Sequence, residues 1–395
     1  MNRLFRVKQG IICELFVVLV AASFLIYDKV SERTLATIGQ TSEVGVTPDT
    51  TGEENAGTSE ESNDLGSQNT DQVDSSKEEE KKEFIKWVEF NVSYEALDQA
   101  YQYDVETYEN GVHVNWIELL AYLGAMYGGE FGSYKKSDMS KLVERLQSKE
   151  ETMASITADM KYYSYYLEAY TAVLGGLVGE YEIEQLKEDT SEERVWVKKY
   201  GLKGYLPIAK NFPYSDYDDF GVSRSYGYKR RHLGHDMMGQ VGTPIVAVES
   251  GYVEAIGWNQ YGGWRLGIRS FDGKRYYYYA HLRKNFPYNK TLKEGSIVQA
   301  GDVIGYLGRT GYSATENVNN IETSHLHIGL QLIFDESQKE GNNEIWVDCY
   351  NLIRFLYRNR SETVKDTESK EWNRIYNIKD PAVEEYKKMQ GKVAD

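Results

Sequence analysis

Cysteine is scarce in this chain of 395 residues: Cys13 and Cys349 are the only two. Cys13 falls in an apolar stretch near the start, so a bond between the two would have to join different compartments, and no disulfide is expected. Positive charge is also short, with 45 lysines and arginines against 61 acidic residues. No basic patch gathers them, which argues against a nucleic-acid partner. Aromatic residues are missing altogether from 36 to 82, where Ser, Thr, Gly, Glu and Asp dominate. Such a stretch cannot bury enough apolar surface to fold, and it reads as a flexible tether. Residues 41–82 alone hold twelve acidic and three basic side chains, more than half of the formal net charge of −16. The negative charge therefore says little about any site.

What the chain does possess begins at residues 11–27, which are apolar but for Glu14 and come after Arg3, Arg6 and Lys8. That length is at the short end for a spanning helix, and the positive flank predicts an N-terminus on the inside. A cleaved signal peptide is the alternative. The run continues through Phe24-Leu-Ile-Tyr27 with no clear small-x-small site after it, which favours a retained single-pass anchor in the cytoplasmic membrane. Either way, the remainder of the chain is expected to be exported. Further on, Asn115 to Tyr127 and Lys161 to Leu177 repeat apolar residues at spacings of three and four, the period of buried helices. Their aromatic stripe reads as core, and solitary Glu118, Glu130 and Glu168 read as solvated. His113, among these helical residues, reads as structural.

Histidine carries the chemistry. Five of six fall between 232 and 327, as His232-Leu-Gly-His235-Asp236, Tyr279-Ala-His281-Leu282 and His325-Leu-His327. Grouped with a carboxylate, histidine serves both metal coordination and proton transfer. Residues 325–334 read as a strand, so His325 and His327 project from one face. On a straight strand His232 and Asp236 would stand about 13 Å apart. Gly234 between them is where the chain can bend to bring them together. Asp272-Gly273, between the strand-like runs 264–270 and 274–280, predicts a hairpin that delivers His281. Tyr276 to Tyr279 then alternate between core and groove. Strands joined by glycine-rich turns point to a small antiparallel sheet or open barrel with a groove.

The ordered series His232-x-Gly-x-Asp236, Gly242-Thr-Pro-Ile-Val-Ala-Val, Tyr-Ala-His281-Leu, Gly301-Asp-Val-Ile-Gly-Tyr-Leu-Gly and His325-Leu-His327 resembles the lysostaphin-type (LytM-like) zinc metalloendopeptidases of bacterial cell walls. The resemblance covers roughly residues 205–335. It implies one zinc per chain held by His232, Asp236 and His327, with His281 and His325 as the catalytic pair. Their division of roles stays open, and His235 occupies a position the family does not need, as a satisfied or exposed histidine. The implied activity is hydrolysis of peptide bonds in peptidoglycan, with a non-hydrolytic wall- or partner-binding scaffold as the alternative. The facial triad of non-haem iron oxygenases also uses two histidines and one carboxylate, but it would not call for His281 and His325. Residues 292–305 also resemble the hairpin of biotinyl and lipoyl carriers, but lack an attachment lysine turn. The loops 283–291 and 312–324 are longer than usual for the family and are expected to rim the groove.

The expected organisation is multi-domain. Residues 1–28 form a cytoplasmic stub and transmembrane helix, 29–82 a disordered acidic linker and 83–200 a mainly helical domain. An all-β antiparallel zinc peptidase domain spans 201–345, and a helical tail with a charged, frayed end closes the chain at 346–395.

Overall fold

Side chains start the first helices. In α1 (Tyr94–Tyr108) the hydroxyl of Ser93 accepts from the Ala96 amide, and before α2 (Trp116–Tyr127) Asn115 accepts from Ile117 and Glu118. Helix α2 stops at Gly128, whose φ of 66° is left-handed. The computed structural model describes residues 84–188, 193–225, 229–341 and 343–393. The expected anchor at 11–27 and the acidic linker at 29–82 lie outside them. Among the described residues no helix is long and apolar enough to cross a membrane.

Three more helices come next, α3 (Lys136–Gln147), α4 (Met153–Thr157) and α5 (Tyr163–Leu174). Leu119, Leu120, Leu123, Met139, Leu142 and Tyr170 fill the space between them, and Phe90 meets Tyr170 edge-on at 5.4 Å. Of the aromatic stripe Tyr170 is core, Tyr163, Tyr165 and Tyr166 are half-buried, and Tyr162 is exposed. His113 lies 2.8 Å from the fully buried Asp104, which also accepts from the Trp116 amide and the Tyr200 hydroxyl, a structural role.

Residues 83–200 are not helical to their end. From Gly175 the chain enters a hairpin, β1 (Val178–Leu186) and β2 (Arg194–Leu202), whose outer edge pairs with Ile378–Lys379. Val195 and Val197 are half-buried and alternate with exposed neighbours, a two-residue period with β-branched side chains that suits a strand. The C-terminal segment also differs from the expected helical tail. After α6 (Tyr350–Leu356) it makes strands at Thr363–Lys365, Trp372–Arg374 and Ile378–Lys379 before α7 (Pro381–Val393). Its arginines tie it down: Arg360 donates to the carbonyls of Ala209 and Phe212, and Arg374 to that of Ala300.

The second half is antiparallel and β-rich, as expected. In chain order its strands are β3 (Tyr214–Ser215), β4 (Ser223–Ser225), β5 (Lys229–Arg231), β6 (His235–Gly239), β7 (Pro244–Val246) and β8 (Gly251–Asn259). They continue as β9 (Gly263–Ser270), β10 (Arg275–Ala280), β11 (Ile297–Val298), β12 (Val303–Tyr306), β13 (His325–Leu332) and β14 (Ile345–Val347). The main sheet runs β11-β8-β9-β10-β13-β6-β3, with β14 added on β13; β4–β5 and β7–β12 are separate ladders. The Asp272-Gly273 turn joins β9 to β10 as expected. Tyr277 and Tyr279 are buried, whereas Tyr276 and Tyr278 take the other face.

The helical half docks on the back of this sheet through one buried cation. Arg275 donates to both oxygens of Glu249, at 2.7 and 3.0 Å, to Asp272, and to the carbonyls of Thr171 and Ala172 at the end of α5. No boundary falls at 200, because residues 79–395 form one compact unit.

Candidate metal centre

Strand pairing builds the site. In β13 His327 stands directly opposite Asp236 of β6, and His325 opposite Met238, so both imidazoles leave the same face beside the carboxylate. His232 arrives from the end of β5, just before the bend at Gly234. A Cβ on Gly234 would lie 2.6 Å from the His327 ring and 2.7 Å from the Ile328 carbonyl, so only glycine lets that ring settle. The expected strand-end bend is therefore present, with a second use as a seat for His327.

His232 Nε2, Asp236 Oδ1 and His327 Nδ1 converge, with separations of 3.0 Å from His232 to Asp236 and 2.9 Å for the other two pairs. Donor atoms at about 2.0–2.2 Å from a tetrahedral zinc stand roughly 3.3 Å apart, so the trio is close to the right size. The chemistry of the set also fits. His232 Nδ1–H donates to the Asp219 carbonyl at 2.9 Å, which turns Nε2 toward Asp236 Oδ1 and His327 Nδ1, so that once Nε2 gives up its proton the three atoms offer a cation two imidazoles and a carboxylate.

Burial alone would lower the pKa of His232, yet its hydrogen bonds to Asp219 and Asp236 outweigh it and hold the imidazole at about 9. Asp236 is desolvated too, but its contacts with His232 and His327 keep it well below the usual carboxylate range. His327 is pushed down, chiefly by burial.

His281 and His325 stand beside the trio. Their rings are 4.8 Å apart, and His281 is 5.8 Å from the His327 ring. His281 comes directly after β10 with a left-handed φ of 61°, fixed by its Nδ1–H donating to the Thr310 carbonyl at 2.9 Å. His325 Nδ1–H donates to the Thr323 carbonyl at 2.8 Å, and its Nε2 is 3.7 Å from Asp236. Burial, reinforced by His325 and His327, drives the pKa of His281 well below the ordinary histidine value.

A second layer was not legible from spacing. Asp219, fully buried, lies 3.3 Å from His232 Nδ1 and accepts from Arg224 at 2.8 Å. Arg224 also donates to Asp236 Oδ2 at 3.0 Å, which leaves Oδ1 to the trio. His235 is buried, with its Nε2 3.0 Å from Asp216; its Nδ1 stands 3.4 Å from Asp219 but makes no hydrogen bond among the described residues. The two aspartates outweigh burial and raise His235 to about 9.

All five site residues open on a groove of about 700 Å³. The loop 312–324 rims it with Tyr312, Ile321, Glu322 and Thr323. The loop 283–291 does not; it is bonded to β12 through the Tyr306 and Pro287 backbones, and Asn285 holds Asn317 of the other loop.

Comparison with known proteins agrees with this geometry. Peptidase family M23 matches residues 230–342. The L-Ala–D-Glu endopeptidase of Bacillus subtilis (strain 168) is 34% identical over 183 residues, covering 45% of this chain and 53% of that protein. Lysostaphin of Staphylococcus staphylolyticus is 39% identical over 89 residues, 22% of this chain and 18% of its own. The peptidoglycan DD-endopeptidase ShyC of Vibrio cholerae serotype O1 is 36% identical over 85 residues, again 22% and 18%. The chain thus spans about half the length of the first of these relatives and under a fifth of the others. With the whole donor trio inside the matched stretch, residues 230–342 are a domain of peptidase family M23 that holds a candidate metal site.

Proposed function

We propose that the chain is a zinc-dependent endopeptidase that hydrolyses peptide bonds of peptidoglycan, held outside the cytoplasmic membrane by residues 11–27. The observation that carries this reading is the meeting of three metal donors and two further imidazoles on one open groove. Relatives named for L-Ala–D-Glu and peptidoglycan endopeptidase activity support the substrate class.

Zinc, when bound, supplies Lewis acidity toward the scissile carbonyl and an acidified water. His232, Asp236 and His327 would hold it, with Arg224 fixing the carboxylate and Asp219 the first imidazole. His281 is the general base. Its Nδ1–H is committed to Thr310, and its low pKa keeps Nε2 free to take a proton from the attacking water. His325, anchored on Thr323 with its Nε2 near Asp236, is placed to steady the oxyanion or to reach the leaving amine.

Mass spectrometry of muropeptides released from purified walls tests the reading. New peptide ends should appear, vanish with a chelator and return with zinc. Zinc-loaded protein that releases none from any wall type overturns it. Membrane fractionation of cells making the full chain or a chain lacking residues 1–28 tests the anchor, which fails if both are soluble.

A further inference from the structure

Arg224 and Arg230 both line the groove, but they are in different chemical states. Arg224 is paired with two carboxylates, since Asp219 and Asp236 both accept from its Nη2, although its Nε, like that of Arg230, is buried without a hydrogen-bond partner among the described residues. Arg230, on β5 two residues before His232, has its guanidinium over the Tyr312 ring at 4.9 Å. Its Nε is buried and, among the described residues, has no hydrogen-bond partner. A ring face steadies a cation but accepts no directed N–H bond of carbonyl strength, so a desolvated donor is left unused.

The carboxylates around the groove do not supply the partner. Glu344 accepts from Trp346 Nε1 and the Gly341 amide, Asp236 belongs to the metal trio, and Glu322 is exposed on the loop. The Tyr312 ring is in turn 5.8 Å from His281. Arg230 is thus two ring contacts from the catalytic pair, within reach of three residues of extended peptide at about 3.3 Å each.

We propose that Arg230 reads a free carboxylate on the peptide, within three residues of the bond that is cut. The proposal rests on the peptidase reading above and narrows its substrate to acidic peptides. A planar fork already oriented on Tyr312 matches a carboxylate through two parallel bonds from its two Nη groups, which a lysine could not reproduce.

The test uses matched L-Ala–D-Glu–L-Lys peptides in which the unlinked glutamyl carboxylate is free or converted to the carboxamide. The parent should favour the free acid in kcat/KM by roughly ten- to hundredfold, the usual size of a charge-assisted hydrogen bond. Arg230→Gln should bring that ratio near one with zinc content intact, and Arg230→Lys should leave it in between. Lys229→Gln, at an exposed neighbour outside the groove lining, should leave the ratio as in the parent. A parent ratio near one, or a ratio that survives Arg230→Gln, overturns the proposal. If the parent cuts neither peptide, their cleavage by this chain is refuted, and calorimetric binding of the two peptides to zinc-loaded protein decides the separate point. Equal affinity for acid and carboxamide then overturns the role of Arg230.

Discussion

The sheet carries a buried charge cluster on each side, and the two are built to opposite rules. At the back, each of the five guanidinium hydrogens of Arg275 has an acceptor among Glu249, Asp272 and the carbonyls of Thr171 and Ala172. At the front, two imidazole nitrogens and a carboxylate oxygen face one another within about 3 Å. A closed cluster joins parts of the fold, while a cluster of converging metal donors can exchange the proton of His232 for a cation. Burial and charge alone would not separate them; donor and acceptor counting does.

The comparison breaks most visibly at Asp236. Asp236→Ala should abolish stoichiometric zinc, measured by elemental analysis, while the back cluster keeps the protein folded by circular dichroism. Tight zinc in that variant would remove Asp236 from the ligand set. Arg275→Met attacks the other side. It strands Glu249 in the core and should cost about 3–5 kcal/mol in denaturant unfolding, with zinc per folded molecule unchanged. Loss of zinc at full stability would make the back cluster part of the site.

Two smaller effects sharpen the front. Asp219→Asn should weaken zinc binding about 10- to 100-fold in competition with a chelating dye, the usual effect of losing an outer partner. Unchanged affinity would mean that the Asp219 carbonyl suffices to align His232. Without metal, His232 titrates at about 9, so at pH 7 it carries a proton that zinc must displace. Calorimetry in buffers of different ionisation enthalpy should therefore show release of about one proton at pH 7, fading as pH passes about 9. No release at pH 7 would place the proton elsewhere.

The sequence exposed the front far better than the back. His232, Asp236, His281, His325 and His327 announce themselves because few residue types bind metal and short spacings on strands fix their faces. Asp219 and Arg224 do not, since one aspartate in Asp216-Tyr-Asp-Asp219 looks like its exposed neighbours until the chain closes over it. Arg275 is likewise hidden in a run of tyrosines, and its partners on α5 are more than a hundred residues away. The hairpin at 178–202 and the C-terminal strands escaped because their alternation is partial and their stabilising contacts are to distant segments, such as Ile378 against Ile183.

The pairing of β13 with β6 has one more consequence. A slip of one residue would place Leu326 opposite Asp236 and turn both histidines through the sheet. Zinc, when bound, would favour the aligned ladder over one slipped by a residue by the free energy of its binding, since in the aligned ladder His327 and Asp236 stand opposite one another.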